Sequence, residues 1–384
     1  MLVSGRSDDA PTRRRFLRHS AATIAALAAP LTPLSALRGA AQETAVVREV
    51  RRGGMLYRRL ANTDVFVSAL AFGSHTDPAF KVPAKHGSVL SAEGQARRDN
   101  QLARAFDSGV NLVDTYENAG QWEPVARVAK NRRDRVLVSV CRQFPMWVGE
   151  NIDRAARLYG GHVDLYRIYV GDAPAVDGKI LEDWDALRKA KEVGKVRAIG
   201  ISTHSERMML SALKELDGLD YIMFPYNFIH ARADYSEFLP EATRKNVGLI
   251  AIKPLAAGSI VKLDPTAKEG SRPEDERIQL YKGGNSQLLP AVAAELTQAL
   301  KQVPGESLCQ AALRFVYSRP FITAAMPGMF QDHEVEQNLA ALRRHLELSR
   351  TERALLDAAR RVQELQGASW LPSHYRWLDK TWRA

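Results

Sequence analysis

From about residue 55 to residue 348, short β-rich apolar runs alternate with amphipathic stretches of helical length, and this rhythm limits what the chain can fold into. Strands separated by helices of ten or more residues must run parallel, because the helix carries the chain back to the start of the next strand. The strand-like runs are Ala69–Gly73, Val110–Asp114, Val136–Cys141, His162–Tyr169, Val196–Ser202, Tyr221–Phe224, Gly248–Ile252 and Ile322–Met326. Between them the pattern predicts helices such as Glu93–Ser108, Gly178–Val193, Ser205–Leu216 and Ser307–Ser318. Roughly eight such units in about three hundred residues suit a closed α/β (β/α)8 barrel better than an open doubly wound sheet. No G-x-G-x-x-G follows an early strand, which also counts against the open dinucleotide-binding alternative.

A formal charge of +10 raises the question of a nucleic-acid partner, and its placement argues against one. Arg6, Arg13, Arg14, Arg15, Arg18 and Arg38 face only Asp8 and Asp9 within residues 1–41, and the remainder has no dense basic run. Thr12-Arg13-Arg14-Arg15-Phe16-Leu17-Arg18 precedes an alanine-rich apolar stretch and then Gly39-Ala40-Ala41, a plausible cleavage point. The segment resembles a twin-arginine export signal, which implies a protein delivered folded to the periplasm or another extracytoplasmic space. The apolar run is too short for a stable membrane anchor. A linker at 42–54, a barrel at 55–348 and a C-terminal tail at 349–384 complete the expected organisation.

Two regions break the rhythm. Ser259–Ser286 is long and polar, as functional or disordered loops are. The last fifteen residues hold Trp370, Trp377 and Trp382, half of the six tryptophans, so the tail is expected to dock on the barrel. Cys141 and Cys309, the only cysteines, cannot make a four-thiolate metal site, and their placement on a strand and a distant helix predicts no bridge between them.

Several fragments in fixed order resemble the aldo-keto reductase superfamily: Leu60-x-x-Thr63 with Val67-Ser68-x-Leu70-x-Phe72-Gly73, Ala105 to Asn111 with Asp114-Thr115, and Gly194 to Ser202. Pro225-Tyr226-Asn227, Lys253-Pro254-Leu255-Ala256-x-Gly258 and Pro327-Gly328 with Asn338-Leu339 continue the series. The resemblance implies hydride transfer between NADP(H), with NAD possible, and a small carbonyl, alcohol or sugar-like substrate, without a metal. It also implies a proton-donating Tyr acidified by a Lys–Asp pair and oriented by a His. Asp114 keeps its place, but the Tyr position reads as Ala119, the Lys as Cys141 and the His as Tyr169. Among cofactor positions the resemblance implies Ser202 and Thr203 near the carboxamide. It puts Lys253, Pro254, Leu255, Gly258, Gly328 and Asn338 along the pyrophosphate and adenosine phosphate. Met223 and Ile252 replace the usual glutamine and stacking aromatic residue.

Strand alternation suggests a replacement for the lost groups. Arg167 shares a face with Tyr169, so both are expected inside the barrel, Tyr169 at the mouth and Arg167 one layer below. A buried guanidinium needs a carboxylate, and Asp114 is the expected partner. Tyr169 then becomes the candidate acid, with Arg167 and Asp114 beside it; the alternative is a structural plug in a barrel that binds a ligand or partner without turnover. A lyase or isomerase on the same barrel is a third option. Tyr116, Glu117 and Trp122 are expected to line the pocket. His75 and His204 are expected to be solvated loop histidines, and Arg142 to face away from Cys141.

Overall fold

The computed structural model describes residues 49–84, 88–115, 120–142, 147–171, 173–228, 237–256, 307–354 and 356. The export segment, most of the linker, the 259–286 stretch and the tryptophan-bearing tail lie outside the described residues, as do Tyr116, Glu117, Ala119 and Gly258.

Three antiparallel strands come first: β1 (Glu49–Arg52), β2 (Met55–Arg59) and β3 (Phe66–Ser68), in the order β1-β2-β3. The first lies where the sequence suggests only a linker; most of its side chains are exposed, so no apolar alternation marks it. Arg58 on β2 is buried and donates to the Tyr317 and Ile322 carbonyls at 2.7 and 2.6 Å. These bonds tie the strands to the turn ahead of the barrel's last strand.

A small hairpin, β4 (Lys81–Pro83) and β5 (Ser88–Leu90), precedes the repeating part. There α1 (Ala92–Asp107), β6 (Leu112–Thr115), α2 (Trp122–Ala129), β7 (Leu137–Cys141) and α3 (Val148–Leu158) follow one another. Next come β8 (Val163–Gly171), α4 (Gly178–Glu192), β9 (Val196–Thr203), α5 (Glu206–Glu215) and β10 (Tyr221–Pro225). The series ends with α6 (Phe238–Arg244), β11 (Gly248–Ile252), α7 (Leu308–Tyr317), β12 (Ala324–Met326) and α8 (Asp332–Arg343). Local chemistry sets the helix starts. Ser91, Asp177 and Ser205 accept from backbone N–H groups in the first turns of α1, α4 and α5, and Ser307 forms a reciprocal cap with Gln310.

The seven strands β6 to β12 pair in chain order, every pairing parallel. Residues 69–73 join the two edges of this sheet. Leu70 bridges Ala325 on β12 and Phe72 bridges Val113 on β6, both in parallel sense. The result fits the (β/α)8 barrel expected from the pattern, with its first strand reduced to bridging contacts. Two apolar layers follow from strand alternation. Leu112, Leu137, Leu165, Ala198, Met223, Ile250 and Ala324 fill the barrel interior, while Val113, Val138, Tyr166, Ile199 and Phe224 pack outward beneath the helices.

One interior contact leaves no spare room. A Cβ on Gly200 of β9 would lie 2.5 Å from the Tyr221 carbonyl oxygen and 2.7 Å from its ring. Gly200→Ala is expected to cost about 1–3 kcal/mol through overpacking, measurable as a lowered urea midpoint; an unchanged midpoint would show that the Tyr221 ring can move aside.

Candidate active site at the barrel mouth

The C-terminal ends of the strands carry a polar layer above the apolar interior. Arg167 on β8 is 1% exposed and enters the barrel, as its alternation with Leu165 requires. Its two terminal nitrogens grip Asp114 of β6 at 2.5 and 2.9 Å. Arg167 also donates from Nη1 to Ser139 Oγ on β7 at 2.9 Å and from Nε to Ser202 Oγ on β9 at 3.3 Å. Ser139 in turn donates to Asp114 at 2.9 Å. Four strands are thus stitched by one charge-paired network, in which a two-point guanidinium–carboxylate grip supplies both attraction and geometry.

Around this floor the side chains are inert. Cys141, at the lysine position implied by the resemblance, is buried, and burial pushes its thiol up to about 11 despite the nearby Arg167. A neutral thiol of that kind is a poor nucleophile. Tyr221, fully buried, has its phenol raised further by loss of solvent. Arg142 points away from the barrel interior and pairs with Asp183 of α4.

Tyr169, two residues beyond Arg167, emerges at the rim and is 46% exposed. The β8–β9 register slips between Tyr169 and Gly171, an irregularity of the kind that re-aims side chains at sheet ends. Its ring meets His204 edge-on, with centroids 6.0 Å apart. The sequence suggests a solvated loop histidine there; the structure buries it to 6% exposure. His204 Nε2 lies 2.8 Å from the Lys253 ammonium just past β11. Burial, then the Lys253 charge, hold the imidazole neutral, its pKa driven down to about 2. The lysine is therefore the donor in this bond. Such a pairing joins residues 49 apart in sequence and depends on Lys253 adopting a positive φ of 52°, neither of which strand periodicity signals.

That neutral histidine has a consequence for stability. In the unfolded chain His204 takes a proton below about pH 6.5, whereas in the folded protein it stays neutral down to about pH 2. The unfolded state binds more protons in that window, so stability falls as the pH drops. Between pH 7 and pH 5 this site accounts for about 2 kcal/mol of lost stability. Urea unfolding at the two pH values should show that difference between the wild type and His204→Gln; parallel pH dependences would contradict it.

The other residues implied for cofactor binding are unevenly placed. Ser202 is buried at the mouth, and a hydroxyl that accepts from Arg167 still has its own proton to donate. Thr203 is committed elsewhere: its hydroxyl donates to the Gly171 carbonyl at 2.9 Å and accepts from Ser205 N–H at 3.1 Å. Pro254 is buried and Leu255 packs on the outer core, both within a turn closed by Ala256 N–H to the Lys253 carbonyl at 2.9 Å. Asn227 Nδ2 also donates to that carbonyl, at 3.0 Å. Ile252 lines the interior at the rim, and Met223 is buried below, so neither offers a polar group.

At the far end, Gly328 sits in the loop between β12 and α8, and Asn338 is buried on α8. Arg98 of α1, absent from the sequence-based site list, holds this loop against the first bridging segment. It donates to the Gly73 and Met329 carbonyls at 2.6 and 3.0 Å, stacked on Phe72, while burial lowers its pKa to about 9. Gln101 adds a bond to the Phe330 carbonyl at 2.8 Å, and Arg97 reaches Gln331 Oε1 at 3.0 Å. No lysine or arginine occurs from Pro327 to Asn338, and the Glu334 carboxylate already accepts from the Phe330 and Gln331 amides. Among the described residues, the basic side chains bonded to this loop, Arg97 and Arg98, come from α1. Gly258 lies outside the described residues.

Comparison with known proteins agrees with this architecture. The pattern of the aldo/keto reductase family matches residues 91–361, well over half of the chain. L-galactose dehydrogenase of Arabidopsis thaliana is 22% identical over 330 residues, covering 82% of this chain and 96% of that protein. L-glyceraldehyde 3-phosphate reductase of Escherichia coli is 26% identical over 343 residues, covering 80% and 93%. Among solved structures, an aldo/keto reductase from Klebsiella pneumoniae in complex with NADP and acetate superimposes with a TM-score of 0.55 at 21% identity, covering 76% of this chain and 91% of that one. The holo form of a Bacillus halodurans aldo-keto reductase gives 0.59 at 18% identity, covering 79% and 95%.

Proposed function

Because the chain belongs to the aldo/keto reductase family, we propose that it is an oxidoreductase transferring hydride between NADP(H) and a small carbonyl or sugar-like substrate, with a rearranged proton-donor site. The observation that carries this reading is the exposed Tyr169 phenol, set at the barrel mouth over a sealed charge pair and beside the His204–Lys253 pair. Relatives of comparable length carry names of sugar and sugar-phosphate enzymes, and a solved relative was obtained with NADP.

The residues present fit a nicotinamide cofactor at the mouth. Ser202 keeps a hydroxyl proton for a carboxamide, Ile252 offers an apolar face, and Lys253 and Arg97 supply positive charge toward the phosphates. Thr203, already bonded on both sides, does not join them. When bound, the cofactor supplies or accepts the hydride. The chain supplies the rest. Tyr169 holds its phenolic proton within reach of the mouth, where a substrate oxygen gaining charge would take it up. Arg167 and Asp114 keep the floor rigid and their mutual charge satisfied.

That satisfaction also favours a second reading. A guanidinium bonded to Asp114, Ser139 and Ser202 is committed to the fold, as in a structural plug, and the barrel would then bind a ligand without converting it. Mass spectrometry of protein denatured after purification from the exported fraction tests the cofactor assignment. Bound NADP or NADPH is expected; absence of any nicotinamide, together with no binding on addition, would sink it.

Export rests on the spacing of Arg13 and Arg14 to Phe16-Leu17, and the address is the periplasm or an equivalent compartment. Changing both arginines to lysine should leave precursor in the cytoplasm. Mature protein still appearing outside would contradict the signal.

A further inference from the structure

Exposed apolar side chains are ordinary on a protein surface; where they collect is informative. Among the described residues the large ones are Val82, Val89, Trp147, Tyr169, Leu181 and Val193. All but Val193 belong to segments at the C-terminal ends of the barrel strands or at the starts of the helices that follow. The opposite end is charged: Asp107 pairs with Arg132 and Arg135 at 3.1 and 3.2 Å, and Asp220 with Lys191 at 2.6 Å. The exposed residues at the mouth also fall mostly on one arc. Val82 and Val89 are cross-strand partners in the β4–β5 hairpin, which follows residues 69–73. Val89 leans on Gly120 in the connection after β6, where an added Cβ would meet its Cγ1 at 3.2 Å. Trp147 stands after β7, and Tyr169 lies near the end of β8, so the arc follows four consecutive strands of the barrel.

Trp147 indicates what covers this arc. It is the N-cap residue of α3 and makes no capping hydrogen bond, so nothing in the helix start calls for an indole there. The ring is nonetheless held in place. A Cβ on Gly149 would lie 2.3 Å from Cζ3 of the indole and 2.8 Å from Cε3 and Cη2. The six-membered ring therefore rests directly on the first turn of α3, and the side chain is still 54% exposed. An aromatic surface fixed in this way binds at little entropic cost, because only two torsions need ordering and the helix already orders them. We propose that this arc receives the apolar body of the substrate: the carbonyl compound reduced beside Tyr169 carries a flat aromatic ring that stacks on the Trp147 indole and packs on Val82 and Val89. This rests on the carbonyl-reduction reading above and narrows its substrate to aryl aldehydes and ketones, in preference to free sugars. Sugar hydroxyls stripped of water need polar partners, whereas the side chains of Trp147, Val82 and Val89 offer apolar surface. An aryl ring makes no such demand, and its burial is favourable in proportion to the apolar area removed from water.

Two readouts separate this proposal from the reading it rests on. The first needs no turnover. Naphthalene-2-carboxamide has the flat body but no aldehyde or ketone to reduce, and it is titrated into full-length protein with and without excess NADP. The indole N–H resonance of Trp147, identified by its loss in Trp147→Phe, is expected to shift. Trp147→Ala should weaken binding about tenfold, and Trp147→Phe, which keeps a ring, by less than about threefold. Gly149→Ala keeps the indole and suits a helix, but its methyl group pushes the ring from its seat, so binding should weaken several-fold. The second readout is steady-state kinetics on 2-naphthaldehyde and glyceraldehyde. The aryl aldehyde should have the higher kcat/KM by about tenfold or more, and Trp147→Ala should raise KM for it alone with kcat little changed. Circular dichroism and the urea midpoint establish that each variant is folded, and Gly149→Ala carries the test if Trp147→Ala is not. No carboxamide binding by the wild type, binding unchanged in a folded variant of either position, or a preference for glyceraldehyde overturns the proposal, and reduction of glyceraldehyde would still leave the reductase reading standing. Carboxamide binding that depends on Trp147, in a protein that turns over no carbonyl, upholds the aromatic seat and removes the reductase reading instead.

Discussion

Arg167→Met is expected to lower the unfolding free energy by about 3–5 kcal/mol, with the chain still able to fold at low temperature. The loss comes less from the missing hydrogen bonds than from what remains. Asp114, 3% exposed, would keep a charge with no cation opposite it, and Ser139 and Ser202 would lose a shared donor. Removing one partner of a buried pair is far more damaging than removing both. Arg167→Met combined with Asp114→Leu should therefore regain most of the stability, because no uncompensated charge is left inside. Urea unfolding with linear extrapolation measures both variants. A single-variant loss below about 1 kcal/mol would mean that water or relaxation reaches Asp114, and the sealed-floor description would fail.

Tyr169→Phe separates chemistry from binding. Loss of a positioned general acid typically lowers turnover by about 10²–10⁴-fold. NADPH affinity should stay within about threefold, because the hydroxyl acts chiefly in the transition state. The ring keeps its edge contact with His204 in this variant, and the urea midpoint checks that the fold is retained. Turnover unaffected by Tyr169→Phe would assign the proton to another donor and leave Tyr169 as a rim residue. A wild type that binds NADPH and turns over nothing would favour the non-catalytic barrel.

Much of the barrel is legible because its strands are buried on both faces and its helices on one. Leu137 to Cys141, broken only by Ser139, and Gly248 to Ile252 read as apolar runs, and their observed limits differ from the expected ones by a residue or less. The Arg167–Asp114 pair is legible for a related reason: period-two alternation puts the guanidinium inside, and an interior cation needs an anion. The hairpin β4–β5 is not, since its strands are three residues each and Val82 and Val89 face solvent. Neither is β1, whose exposed residues read as linker. At the site, the His204–Lys253 bond escapes sequence reasoning because the turn after β11 breaks the alternation on which that reasoning depends. Arg98 escapes it too: one of three arginines on an amphipathic helix looks solvated, and only the folded chain brings the Gly73 and Met329 carbonyls to it.

Carbonyl reduction at this barrel mouth is the proposed activity although the implied tyrosine, lysine and histidine positions read Ala119, Cys141 and Tyr169. NADPH oxidation by the full-length protein, followed against a panel of small aldehydes, ketones and sugars, tests it most directly when paired with a fluorescence titration of NADPH. Saturable binding and substrate-dependent oxidation on at least one member of the panel are expected. Failure to bind NADPH, with no oxidation on any substrate, would contradict it and leave a barrel of this family without its cofactor.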